Sequence, residues 1–152
     1  MAEGQGSASK ASGLRLLAED ADDLQVISAA LQDAVVKVGD IAFEPKARRL
    51  TVALNRFCWE SAGERRGQRR RSALQLGGVM SVKARRIRRE PKDAVIELLA
   101  VTFIPGEAPG GELLFSFAGD ADLRVEVECV DAILADVSEP WLTPRAPRHE
   151  LG

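Results

Sequence analysis

Between Glu64 and Glu90 the chain reads ERRGQRRRSALQLGGVMSVKARRIRRE, ten basic side chains with no acid among them. Guanidinium groups present paired N–H donors that match phosphate oxygens, so a surface that collects several of them binds RNA, DNA or another polyanion in a salt-sensitive way. One cluster is Arg65, Arg66, Arg69, Arg70 and Arg71; the second is Lys83, Arg85, Arg86, Arg88 and Arg89. From Arg56 to Lys92, twelve Lys or Arg stand against three Glu, a local charge of +9 that leaves −11 for the rest of a chain of net charge −2. Two readings stay open on that asymmetry. The clusters grip a polyanion, or they neutralise the fold's own acids, with Glu126, Glu128 and the acids of the first helix as partners. No aromatic residue interleaves the arginines, so the stacking platform that accompanies single-strand binding is missing, and the overall charge is not that of a basic nucleic-acid domain.

Other chemistries are narrowed by what is absent. The single histidine, His149, lies in a proline-rich stretch, which removes Ser-His-Asp and Cys-His catalysis and HExxH zinc sites, each of which needs a rigidly held imidazole. No glycine loop of the phosphate-cradling kind occurs and there is no tyrosine. The residues therefore name no catalytic group, no metal site and no cofactor. Glu126, Glu128, Asp131 and Asp136 are the best-placed carboxylates for hydrolytic work or for a hard cation. Strand alternation nevertheless puts Glu126 and Glu128 on a solvent face, where acids usually solvate or pair across to basic neighbours. Cys58 and Cys129 form no CxxC pair and are expected to be reduced and buried. Trp141 and Leu142, in PWLTPRAPRHELG, are the candidate partner-facing residues; the competing reading docks Trp141 back on the domain.

The elements that must position these groups follow from periodicity. Residues 1–12 are Gly, Ser and Ala rich without a period and read as a disordered leader, 13–139 as a single domain, and 140–152 as a proline-rich tail that continues neither strand nor helix. No apolar run is long enough to span a membrane and the N-terminus lacks the apolar core of a signal peptide, so a cytoplasmic protein is expected. LRLL at Leu14 to Leu17 is a strand. A helix follows near residues 20–33, with Leu24, Ile27 and Leu31 at helical spacing, Asp20 as N-cap, and Asp22 and Asp23 favoured by the dipole of the first turn.

The period then switches to two. One strand is expected around Val35 to Phe43, a turn at Pro45 and Lys46, and a return strand from Leu50 to about Trp59. RSALQL and VMSVKARRI should form a second hairpin about Gly77 and Gly78, bringing the two arginine clusters together at its open end. AVIELLAVTFI and ELLFSF flank a third turn, PGEAPGG. The last strand begins near Asp122, and from Cys129 onward strand and short helix are both open. The expected fold is α+β: about seven or eight mostly antiparallel strands, rolled or sandwich- or barrel-like, around one N-terminal helix. Its core should contain Leu24, Ile27, Leu31, Val52, Leu54, Leu99, Val101, Phe115, Phe117, Val125 and Val127.

Four stretches, LAEDADDLQVISAALQDAVVKVGDIAFEP, LNRFCWE, ELLAVTFIPGEAPGG and FAGDADLRVEVECVDAILADVSEPW, together resemble a family of small bacterial proteins catalogued only as a domain of unknown function. The resemblance spans about residues 14 to 144. It implies a single bacterial cytosolic domain and carries over no catalytic residue. The residues favour a non-enzymatic protein-interaction module, with RNA or polyanion binding through the arginine clusters as the alternative and a small-ligand or carboxylate-based enzyme as a third reading.

Overall fold

The computed structural model describes residues 13–61 and 67–143. Its strands are β1 (Arg15–Ala18), β2 (Ala34–Lys37), β3 (Ile41–Glu44), β4 (Arg49–Phe57), β5 (Gly67–Leu76), β6 (Val79–Arg85), β7 (Val95–Pro105), β8 (Gly111–Phe117), β9 (Ala121–Val127), β10 (Ala132–Asp136) and β11 (Trp141–Thr143), and its helix is α1 (Ala21–Leu31). The main path through the sheet is β1-β10-β5-β4-β2-β7-β8-β9-β6, with β3 added to β4 and β11 to β5. Among the described residues every pairing is antiparallel, as expected, but the strands number eleven rather than about seven or eight. The surplus arises where long apolar runs bend: the run from Val35 to Phe43 breaks at a 3-10 turn, Val38–Asp40, into β2 and β3. The segment after Cys129 is the strand β10, not a helix.

Gly77 and Gly78 do not close a hairpin. β5 pairs with β4 and β10, whereas β6 pairs with β9. The glycines instead bend one long strand from the first half of the sheet into the second, and residues 128–131 bend its antiparallel partner beside them. Gly77 N–H donates to Asp131 O and Glu128 N–H to Gly78 O, which ties the two bends together. Gly78 takes φ +65, a conformation that favours glycine, whereas a Cβ on Gly77 would lie 2.5 Å from the carboxylate of the exposed Asp131 side chain, which would have to swing aside. Bends of this kind let strands pass from one packed sheet layer to the other. Arg69, Arg70 and Arg71 consequently lie at one end of a bent strand and Arg85 at the other, so the described members of the two clusters are not neighbours.

The inner face follows from cross-strand register. Ala18, Ala132, Leu76 and Leu50 form one row; Leu16, Leu134, Leu74, Val52 and Ile41 form the next. Helix α1 packs on β7, β1 and β4, burying Leu24, Ile27 and Leu31. The Asp20 side chain accepts from Asp23 N–H at 2.8 Å, which satisfies one of the donors a helix start leaves open.

One core assignment is corrected. Leu99 is 41 % exposed, because a bulge in β7 sets two residues against one of β8: Leu98 stands opposite Phe117 and Ala100 opposite Ser116. The inward set switches there from even to odd numbers, burying Leu98 and Val101 and leaving Leu99 outside. Val101 N–H donates to Ser28 Oγ of α1 at 2.9 Å, so the helix holds the irregular strand in place. The other expected core residues are buried. Of the cysteines, Cys58 is buried and Cys129 only half-buried, since it sits in the bend after β9 rather than within a strand; both are free thiols. No helix is long and apolar enough to cross a membrane among the described residues.

Candidate functional site

The inward row that begins with Leu76, Leu74 and Ser72 on β5 continues to Arg70, and the inward row of β4 runs Leu50, Val52, Leu54, Arg56. The core face thus ends in two arginines. Arg56 is fully buried, and its fork closes on Asp136 of β10: Nε donates to Oδ1 and Nη2 to Oδ2, both at 2.7 Å. Its other side reaches Glu60, with Nη1 to Oε1 at 3.0 Å and Nη2 to Oε2 at 2.7 Å. Asp136 also accepts from Ser72 Oγ at 2.5 Å, Leu14 N–H at 2.8 Å and Arg70 Nη1 at 3.3 Å. Burial by itself would raise the Asp136 carboxyl, but the donors from Arg56, Ser72 and Leu14 and the Arg56 charge outweigh it and hold the group well below the usual carboxylate range. Glu60 is also lowered, first by its hydrogen bond from Arg56. The network caps the core with a charge cluster whose members satisfy one another.

The remaining arginines of β5 are similarly committed. Arg69 lies 5.8 Å from the Phe57 ring centre and donates to the carbonyls of Asn55 and Asp33 at 3.3 and 3.4 Å; burial lowers its pKa, opposed by the charges of Asp33 and Glu97. Arg71 pairs with Asp40 at 2.8 Å and with Asn55 Oδ1 at 3.2 Å. Arg65 and Arg66 lie outside the described residues. In the second cluster Arg85 donates to Asp122 at 2.9 Å and Asp120 at 3.1 Å, and Arg86 stands 3.6 Å from Asp120. Arg88 and Arg89 are exposed, and neither forms an ion pair among the described residues. Arg70 pairs with Asp136 and Arg71 with Asp40, whereas Glu128 pairs with Arg48 and Glu126 accepts from Ser81.

A surface groove of about 690 Å3 does lie at Glu126 and Glu128, with Glu107, Glu112, Lys83 and Arg124 also on its walls. Glu126 accepts from Ser81 Oγ at 3.1 Å, Glu112 from Arg124 at 3.2 Å, and Glu128 pairs with Arg48. Three of its four carboxylates are therefore held by donors. Asp131 is not part of the groove wall, and Asp136 belongs to the buried network. Among the described residues no three His, Cys, Asp or Glu side chains converge as a metal site would need. Burial raises the Cys58 thiol, countered by the nearby Arg56 charge, so it is not an activated nucleophile.

At the C-terminal side, Trp141, Leu142 and Thr143 pair with Arg69, Gln68 and Gly67 as β11. The tail was expected to hold no strand, but Pro140 and Pro144 bracket the three residues and leave their ladder bonds intact. Trp141 stays 42 % and Leu142 52 % exposed on this edge. Sequence reading missed Arg56 as a site residue. The available signal was its parity, since it occupies the inward phase set by Leu50, Val52 and Leu54.

No curated protein and no solved structure matches the chain. The family model for a protein of unknown function, DUF2948, matches residues 14–149, nearly all of this sequence, and the chain belongs to that family.

Proposed function

We propose that the domain is a non-enzymatic protein-interaction module. The observation that supports it is the contrast at the C-terminal edge: the β5 arginines are occupied by the fold's own acids and carbonyls, while Trp141, Leu142 and Val137 beside them remain exposed. Adjoining exposed apolar side chains are a surface type that a protein partner covers, and tryptophan is among the residues enriched at the energetic centres of such contacts. A pull-down from native lysate, run at low and at physiological salt, should retain a stoichiometric partner that the double variant Trp141→Ala/Leu142→Ala loses. Recovery of no such partner at either salt sinks the reading.

Polyanion binding is the alternative, supported by Arg88 and Arg89, which carry no internal ion pair among the described residues. The expected result is weak, sequence-independent binding at low salt with little left near about 150 mM, because a few exposed charges release few counterions. Fluorescence anisotropy with a single-stranded RNA and a duplex DNA measures it. Sub-micromolar affinity at physiological salt, abolished by Arg88→Ala/Arg89→Ala, would overturn the protein-interaction reading. Truncating Arg69, Arg70 and Arg71 is not a clean test, since Arg70 is buried against Asp136.

A further inference from the structure

Among the described residues β3 pairs only with β4 and β6 only with β9, so the sheet leaves a seam where these two edges face one another. Val79 N–H donates to Arg48 O at 2.9 Å at one end of the seam, and Gly39 N–H to Lys92 O at 2.8 Å at the other. Between the two ties lies a groove of about 500 Å3, walled by Ile41 and Phe43 of β3, Val82 and Ala84 of β6, and Ile87. Register shows why it is apolar. Ile41 stands opposite Val52, Phe43 opposite Leu50 and Val82 opposite Val125, all inward-facing positions, so the seam exposes the margin of the core. An edge strand carries N–H and C=O groups with no strand partner, and proteins ordinarily cover or charge such edges.

We propose that this seam is a docking site for an extended, acidic peptide segment of a partner protein, laid along the groove between β3 and β6. The proposal rests on the protein-interaction reading. An extended segment offers backbone bonds to the open edges, and its alternate side chains point one way, onto Ile41, Phe43 and Val82. Its charge follows from the rim. Arg89, Lys92 and Glu90 line the groove and Arg88 adjoins them. Arg88, Arg89 and Lys92 form no ion pair among the described residues, unlike Arg85 and Arg86, which are tied to Asp120 and Asp122. A carboxylate there gains pairing at cations that have none, and a lysine meets repulsion. The chain's own termini do not suit the seam: residues 1–12 contain no Val, Ile, Leu or aromatic side chain, and residues 144–152 bring two prolines and two arginines.

The test uses a fluorescein-labelled peptide of about seven residues alternating glutamate and valine, and a counterpart alternating lysine and valine. The glutamate peptide should bind the full chain at least tenfold more tightly than the lysine peptide. The triple variant Arg88→Glu/Arg89→Glu/Lys92→Glu, which alters only exposed side chains, should lose at least tenfold, and Val82→Glu should do the same. Amide NMR shifts on binding should centre on residues 41–44 and 79–85. Equal affinity for the two peptides, an unchanged triple variant, shifts centred elsewhere, or a homodimer that buries these edges would each overturn the proposal. If the peptides fail while a lysate partner is still lost on Trp141→Ala/Leu142→Ala, the seam falls and the interaction reading stands; if both fail, both fall.

Discussion

Replacing Asp136 by Ala should destabilise the domain by about 3–5 kcal/mol, because the fully buried Arg56 guanidinium would lose its principal counter-charge. The cost comes from the charge left behind rather than from the pair's net worth. Urea denaturation with the slope held equal between variants measures it. Glu60→Ala is the matched comparison. Its side chain is about half exposed, so its loss should cost no more than about 1 kcal/mol. A double variant, Arg56→Met with Asp136→Leu, should recover part of the Asp136→Ala loss, since it removes the fully buried guanidinium together with its counter-charge, although Arg70 still loses its contact with Asp136. A loss below about 1 kcal/mol in Asp136→Ala would mean that water reaches Arg56.

The same network sets a pH dependence whose sign can be worked out. The Asp136 carboxyl is held below its ordinary value, so folding favours its ionised form. The stability it contributes is fully present above the unfolded value of about 3.9 and is lost as pH falls from there through the lower folded value. Glu60, also lowered, acts in the same direction. Thermal melts from about pH 7 to about pH 3 should show Tm level at first and then falling below about pH 4.5. Asp136→Asn should start lower and fall less over that acid range. A parallel decline in both proteins would assign the acid sensitivity to other carboxylates.

Leu54→Ala should cost about 2–5 kcal/mol, and Leu99→Ala about 0.5 kcal/mol or less. Leu54 is fully buried in β4, in the same cross-strand row as Ser72 and Asp136, so its removal opens a cavity where the core meets the ion network. Leu99 sits at the crest of the β7 bulge, 41 % exposed, and leaves little cavity behind. The contrast tests the bulge directly. A large loss at Leu99 would put the strand back in regular alternation, with Leu99 in the core.

The local elements of this domain are written in the residues themselves. Helix α1 follows from the spacing of Leu24, Ile27 and Leu31 behind an Asp20 cap, and the hairpins at Pro45 and at PGEAPGG follow from turn residues set between alternating strands. These depend on neighbours within a few positions, which a linear reading contains. Three features depended on partners far along the chain. Gly77 and Gly78 carry the composition of a tight hairpin, but they are hydrogen-bonded to the bend of residues 128–131, and the positive φ of Gly78 serves a bend within a long strand as readily as a hairpin turn. The β7 bulge is invisible in AVIELLAVTFI, where both faces are apolar and the phase changes without a mark. The arginines looked alike as a run of charge, yet only pairing with β4 and β10 decides that Arg70 turns inward to Asp136 while Arg88 and Arg89 stay in solvent. Charge composition determined that the basic segment would need counter-charges; the register of strands distant in sequence decided which arginines would find them inside the fold.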